Sequence, residues 1–271
     1  VTASDRLNLN IFVEEKNTGS ATIGAGYGDQ NGTNLTAGIA ENNFLGKGQK
    51  VKFSTSFSDT QSLYDISITE PYFYNKDLSI RSDLYSKFSD PESVNYETET
   101  VGLGASLSFP LSSNNRITTK YSLLTSKTTA DDNATSYEKL LSGTSTVSVA
   151  GYILSLDNRN SPYKPTDGSL LTIEQNLAGL GGTSNYLESK ISYKKYKKLN
   201  RIFTAAIKAQ IGSITGYSGK YAPVDQMFNI GGKNLRGFKY GKIGPILSTS
   251  YTGGNYYYVI ANETNFDLPI D

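Results

Sequence analysis

Apolar and polar residues alternate with period two, in segments of about ten residues, along nearly the whole chain, and this limits the fold more than any other feature. From Ser79 to Phe88 the even positions read Ile80, Ser82, Leu84, Ser86, Phe88 and the odd ones Ser79, Arg81, Asp83, Tyr85, Lys87. One face is largely apolar and the other charged. The period recurs at Val101, Leu103, Ala105, Leu107 and Phe109 against Gly102, Gly104, Ser106 and Ser108. It recurs again at Phe203, Ala205, Ile207, Ala209 and Ile211 against Thr204, Ala206, Lys208, Gln210 and Gly212. Successive strand side chains point to opposite faces, so these are strands with one apolar side. Twelve segments are predicted: 18–28, 33–42, 49–58, 62–71, 78–88, 96–109, 115–126, 143–157, 168–178, 185–196, 201–215 and 256–268. All eight prolines fall at segment ends or in connections, where a missing N–H breaks no ladder bond. Helical spacing is nowhere convincing.

A tilted spanning strand needs about 9–11 residues. The connections after segments 2, 4, 6 and 10 are short, and those after 5, 7 and 11 are longer and polar, the last running from about residue 216 to 255. Short turns on one rim and long loops on the other are the pattern of an outer-membrane barrel. Tyr27, Tyr64, Phe73, Phe88, Phe109, Tyr193 and Tyr196 stand near segment ends, as interfacial girdles would. The fold class is therefore all-β, a transmembrane antiparallel β-barrel. A soluble all-β sandwich also alternates and is the rival reading.

The longest apolar run, from Tyr256 to Ala261, is six residues, against roughly 20 for a spanning helix. The chain has no Cys and no His, which removes thiol nucleophiles, Cys/His zinc sites and every Ser-His or Cys-His catalytic arrangement. A formal net charge of +1 argues against nucleic acid as a partner. The first residues, Val1-Thr-Ala-Ser-Asp-Arg, carry neither an initiator Met nor a signal peptide, and the chain reads as a mature fragment.

Four stretches carry a resemblance. Leu7-Asn-Leu-Asn-Ile-Phe-Val-Glu-Glu-Lys-Asn-Thr-Gly-Ser followed by Ala21-Thr-Ile-Gly-Ala-Gly-Tyr-Gly looks like the end of a last POTRA domain running into a first barrel strand. Glu41-Asn-Asn-Phe-Leu-Gly-Lys-Gly-Gln and Ser155-Leu-Asp-Asn-Arg-Asn-Ser-Pro-Tyr-Lys-Pro-Thr-Asp-Gly look like two turns of the same architecture. Gly231-Gly-Lys-Asn-Leu-Arg-Gly-Phe is similar to the [V/I]-R-G-[F/Y] motif of a long extracellular loop. Together, in this order, they resemble the BamA family of outer-membrane protein assembly factors, of the BamA/TamA-type POTRA-barrel superfamily. The resemblance implies residues 1–17 as the end of the last POTRA domain and 18–271 as a barrel, with about twelve strands present of about sixteen. It implies a non-enzymatic insertase in the outer membrane of a Gram-negative bacterium, working without cofactor or metal through a lateral gate at the first strand. Its partners would be unfolded outer-membrane protein clients, accessory outer-membrane lipoproteins and the lipid bilayer. Rival functions are a secretion or translocation pore of the same superfamily, a passive porin, and an outer-membrane lipase or protease, for which no nucleophile and base are found. The number of upstream POTRA domains would separate assembly from secretion.

The resemblance makes Gly231, Gly232, Leu235, Arg236, Gly237 and Phe238 a loop motif in which Arg236 anchors the loop inside the barrel. A bland reading leaves Arg236 as a solvated loop cation. An inserted Arg needs a carboxylate, because an unpaired buried charge is very costly. Glu263 is the candidate, since Val259, Ala261, Glu263 and Asn265 share one face; its alternative is a water-exposed lumenal Glu with no partner. Gly24, Gly26 and Gly28 form a Gly-x-Gly-x-Gly run with no helix after it, so a phosphate loop is disfavoured. A strand with little side-chain packing is the structural reading; the resemblance makes it the gate strand. Asp157, Asn158, Arg159 and Asn160 read as a turn with local side-chain-to-backbone bonds rather than a metal or catalytic cluster. Lys194, Lys195, Lys197 and Lys198 read as a solvated rim or a contact with anionic head groups.

Overall fold

The computed structural model describes residues 9–10, 12–28, 32–90, 95–223, 226–232, 234–247 and 250–266. The strands are β1 (Gly19–Gly28), β2 (Gly32–Phe44), β3 (Gln49–Ser58), β4 (Gln61–Glu70), β5 (Ser79–Ser89), β6 (Tyr96–Pro110) and β7 (Asn115–Ala130). There follow β8 (Gly143–Asp157), β9 (Asp167–Gly182), β10 (Tyr186–Lys198), β11 (Phe203–Gly216), β12 (Ile246–Leu247), β13 (Ser250–Tyr251) and β14 (Tyr256–Phe266). One twelve-stranded sheet runs in the order β1 through β11 and then β14, each strand antiparallel to the last, with β12 and β13 a separate hairpin. All twelve predicted segments lie in this one sheet, so the two-sheet sandwich does not hold. The 267–268 end of the last segment, and residues 1–8 and 11 of the predicted POTRA tail, lie outside the described residues. Residues 9, 10 and 12–17 carry no regular secondary structure.

Register fixes the two faces. Ile207 stands opposite Asn262, Ala209 opposite Ile260 and Ile211 opposite Tyr258, while Lys208, Gln210 and Gly212 face Ala261, Val259 and Tyr257. The first set is exposed although apolar: Ile211 is 55% exposed and Ile260 72%. Across the sheet Ile39, Phe53, Ile66, Leu84, Leu103 and Leu123 continue this exposed band, each beside the next through the register. Ten such side chains in water would forgo roughly 15–30 kcal/mol, against a net stability of about 5–15 kcal/mol. The sheet is inside out for water and right for hydrocarbon. Its other face, which the barrel encloses, carries Arg81, Asp83, Lys120, Glu174, Glu188 and Lys190. Phe203, Ala205, Ile207, Ala209 and Ile211 point outward and Lys208 and Gln210 inward, as the alternation predicts.

Tight turns set the register at the short rim. At the β2–β3 turn Gly46 and Gly48 take positive φ of 72° and 71°, and the Gly48 N–H donates to Asn43 Oδ1 at 2.7 Å. Asp157, Asn158, Arg159 and Asn160 form the self-bonded turn read from the sequence. Asp157 holds Arg159 through Nε at 2.8 Å and Nη2 at 2.7 Å, and Asn160 Oδ1 accepts from the N–H groups of Thr166 and Asp167.

The structure corrects three expectations. Tyr196 is not a girdle residue: it stands opposite Ala206 on the lumenal face. The hairpin of β12 and β13 lies inside what reads as one long loop. A short helix, α1 (Ser136–Leu140), follows β7. Its signal is Thr135-x-x-Glu138, a capping box: the Glu138 N–H donates to Thr135 Oγ1 and the Thr135 N–H to Glu138 Oε2. Glu138 is 1% exposed and also accepts from the Asn95 N–H at 3.1 Å, tying the loop after β5 to the loop after β7. Burial acts to raise this carboxyl, but the donors of Thr135 and Asn95 outweigh it and bring it down to about 2.

Two tests follow from these placements. Leu123→Arg, near the middle of β7 on the outer face, should cost roughly 2–4 kcal/mol in urea unfolding from vesicles. Ser122→Arg, one residue away but lumenal, should stay within about 0.5 kcal/mol of the parent. The depressed Glu138 carboxyl stabilises the loop clasp above its ordinary value of 4.5, and that stabilisation is lost as pH falls through about 2. The protection factor of the Asn95 amide should be constant above pH 4.5 and fall between there and about 2, and should be low throughout in Glu138→Gln.

Candidate functional site

Residues 217–255 connect β11 to β14, and those of them that the structure describes fold back over the lumenal wall. The Ile214 N–H donates to the Asn255 carbonyl at 2.8 Å, and Phe228 and Gly254 exchange two backbone bonds of 2.9 and 3.0 Å. Ile230 bridges Ile243 further along. Between them the motif closes on itself: the Gly232 N–H donates to the Phe238 carbonyl at 2.7 Å. The closure needs Gly231, at φ 126°, where a Cβ would overlap the Lys239 carbonyl. Leu235 is half-buried, whereas Arg236, Gly237 and Phe238 are exposed.

Glu263 lies on the lumenal face with Val259 and Ala261. The loop brings Arg236 Nη2 to 3.7 Å from Glu263 Oε1, with the two side chains 83% and 42% exposed. This is a long, solvated pair. Lys194 and Lys208 stand opposite each other in the adjoining row of the same face, so Glu263 is a carboxylate set among cations.

A tighter contact escaped the sequence reading. Phe228, 9% exposed, packs edge-on to the Tyr257 ring at 4.7 Å between centroids, and Lys190 Nζ lies 5.5 Å from its own centroid. Gly212 makes this seat: a Cβ there would overlap Tyr257 and come within 3.1 Å of Phe228 Cζ. Lys190 is fixed in turn by a polar chain across the wall. Lys120 of β7 pairs with Glu174 of β9, Asn176 Nδ2 donates to Glu174 at 3.1 Å and to Glu188 at 2.6 Å, and Glu188 pairs with Lys190 at 2.6 Å. Gly151 of β8 leaves the space over which the chain crosses, since a Cβ there would overlap Asn176. Inward parity of these polar residues was the available signal. Loop position 228 had none, because a lone Phe in a long loop has no period.

The other exposed feature is the edge. Among the described residues β1 pairs with β2 alone and β14 with β11 alone. Gly24, Gly26 and Gly28 place hydrogen on the lumenal face of β1. A Cβ would find nothing within 4 Å at Gly26 or Gly28 and would lie 2.8 Å from Thr36 Oγ1 at Gly24. Backbone bonds, each worth about 0.5–1.5 kcal/mol net, therefore hold β1 with little lumenal packing beside them. What this arrangement offers chemically is a row of backbone donors and acceptors rather than reactive side chains. No group of three or more metal-ligating side chains occurs among the described residues.

The chain is similar to known proteins in sequence and in fold. Residues 43–271 match the Omp85 superfamily domain. The outer membrane protein assembly factor BamA of Neisseria meningitidis serogroup B (strain MC58) is 26% identical over 293 residues, covering 98% of this chain and 36% of that protein. The human sorting and assembly machinery component 50 homolog is 28% identical over 258 residues, covering 93% of this chain and 54% of its own. The crystal structure of BamA from Haemophilus ducreyi lacking POTRA domains 1–3 superposes with a TM-score of 0.85 at 26% identity, over 95% of this chain and 55% of that one. CdiB from Acinetobacter baumannii, at 18% identity and a TM-score of 0.55, shares the fold. The chain thus spans only about a third of the Neisseria protein's length.

Truncation separates the two loop contacts. Phe228→Ala should cost about 3 kcal/mol at the loop seat and make 217–255 the first site of limited proteolysis. Arg236→Ala, which removes only the exposed pair, should change unfolding by less than about 1 kcal/mol.

Proposed function

The chain belongs to the Omp85 superfamily, and we propose that it is the barrel part of an outer-membrane protein assembly factor, which inserts other β-barrel proteins into the outer membrane of a Gram-negative bacterium. Its homologues named as assembly factors and the BamA barrel in its fold support this reading. The observation that carries it is β1, which pairs with β2 alone among the described residues and whose three lumenal glycines remove side-chain packing from that face.

A client strand entering hydrocarbon with unpaired N–H and C=O groups meets a penalty of several kcal/mol for each group. An edge that offers its own backbone groups in exchange lowers that penalty, and strand addition is a general recognition mode. The lateral gate is then the β1 edge. It opens by breaking backbone bonds without disturbing packed side chains. Phe228 and its backbone bonds seat the long loop on the lumenal wall while the seam works, and Arg236 adds a solvated pair with Glu263 at the motif. No bond in the client is made or broken, so the activity needs no catalytic residue, nucleotide or cofactor. The partners are unfolded outer-membrane proteins, accessory lipoproteins and the bilayer itself.

The test uses the full-length protein. A cysteine introduced at Ala25→Cys and paired by disulfide with one on the final strand should abolish client insertion while leaving the barrel folded, and reduction should restore it. Cys is absent from this chain, so no residue here competes with the pair. Full insertion activity in the verified cross-linked form would sink lateral opening.

A further inference from the structure

The short-turn rim has a composition that the assembly role leaves unexplained. Leu45, Tyr74, Leu111, Tyr163 and Leu199 each stand in one of its five turns, 56–96% exposed. A loop tip in bulk water has no reason to display a large apolar side chain at every turn. The sign of charge differs between the rims as well. The short turns hold Lys47, Lys76, Arg159, Lys164 and Arg201 against the single carboxylate Asp77, while on the opposite rim acidic residues outnumber basic ones in every connection that holds a charge except the long loop.

Charge peaks at the turn between β10 and β11. Residues 194–201 hold five cations, Lys194, Lys195, Lys197, Lys198 and Arg201, and no carboxylate, in a chain of net charge +1. Register puts Lys195 and Lys197 on the outer face, directly below Ile191 and Tyr193 and opposite Ile207 and Ala205. They continue the hydrocarbon-facing band and cannot point into the lumen. Asp167 meets Lys197 at 3.3 Å, with both side chains mostly exposed, while Lys195 and Arg201 have no ion pair among the described residues and Lys198, opposite Thr204, falls on the lumenal face. The turn is rigid: Asn200 Oδ1 accepts from the N–H groups of Ile202 at 2.9 Å and Phe203 at 2.8 Å, and the Leu199 N–H donates to the Phe203 carbonyl at 2.9 Å. Leu199, Ile202 and the outward Phe203–Phe266 pair flank the cations with exposed apolar surface.

We propose that the short-turn rim is a collar seated in the head groups of the adjacent leaflet, and that Lys195, Lys197 and Arg201 form its binding site for the phosphates of anionic phospholipids. Long cationic side chains at the foot of a lipid-facing band extend their charges into the head-group layer. Apolar turn tips enter the acyl boundary beside them. The bonded turn keeps the three cations together, so the site distinguishes net-anionic from zwitterionic lipid. The proposal rests on the membrane-spanning sheet and not on the assembly role.

The full-length protein in nanodiscs of mixed phosphatidylcholine and phosphatidylglycerol tests it, with lipids retained after detergent release counted by native mass spectrometry. The parent should retain phosphatidylglycerol in preference. Changing all three cations to Gln should lower that preference at least about fivefold, the weight of one surface cation. Lys139→Gln, in the opposite-rim loop, should leave it unchanged. Heat-modifiable migration on gels verifies the fold separately. If the threefold variant does not fold, Lys195→Gln with Lys197→Gln replaces it, and Lys195→Arg with Lys197→Arg should restore the preference. An unchanged lipid ratio in a folded variant overturns the site. Loss of retained lipid on adding inorganic phosphate at matched ionic strength overturns the head-group assignment. A variant that keeps its lipid ratio but loses a co-purifying protein assigns the patch to that protein and overturns the proposal.

Discussion

An amide in hydrocarbon has no water to fall back on, and leaving one unpaired costs several kcal/mol. From β2 through β11 every strand has a neighbour on each side, in continuous antiparallel register but for two local slips, at 41–44 of β2 and at 147–149 of β8. Because the ladders hold the wall, side chains are released from that task. Gly102 and Gly104 can then sit on the lumenal face of β6 beside Tyr85 and Asp83 of β5. Among the described residues β1 and β14 each have one partner. At β1 the lumenal face is stripped of side chains, so that strand depends on its backbone bonds to β2 more than on packing.

Lipid on one side and water on the other also divide the labour between the faces. The outer face needs only to be apolar, and its residues tolerate exchange within that class. The lumenal face carries the specific contacts, with the chain from Lys120 through Glu174, Asn176 and Glu188 to Lys190 running across β7, β9 and β10 and ending under the Phe228 ring. Gly151 and Gly212 are openings in the wall through which this chain and the loop seat fit. The loop is thus tied to the sheet through ring packing and backbone bonds, and the reach of Arg236 to Glu263 is added to an attachment that exists without it.

Strand positions were legible because hydrocarbon imposes a strict period of two, and any residue violating it would face the wrong solvent. Boundaries moved most where a strand outruns the bilayer. β7 extends to Ala130 and β9 to Gly182, beyond the predicted 126 and 178, since in water Thr128 and Gly182 continue the ladder without an apolar mark. Tyr196 was misread because an aromatic near a strand end suggests a girdle whichever way it points, and only parity with Tyr193 tells them apart. The Arg236–Glu263 juxtaposition was reachable through parity at β14 plus the cost of an unpaired charge. Phe228, by contrast, is positioned by a loop that obeys no period, and the α1 helix is a single capped turn too short for helical spacing to show.

Glu138 accepts from Asn95, forty-three residues earlier in the chain, and from Thr135 beside it. The loops after β5 and β7 are therefore joined into a single composite surface. An antibody recognising it reads a discontinuous epitope, assembled only in the folded protein. Serum raised against a linear peptide from either loop would be directed at a shape that the folded protein does not display.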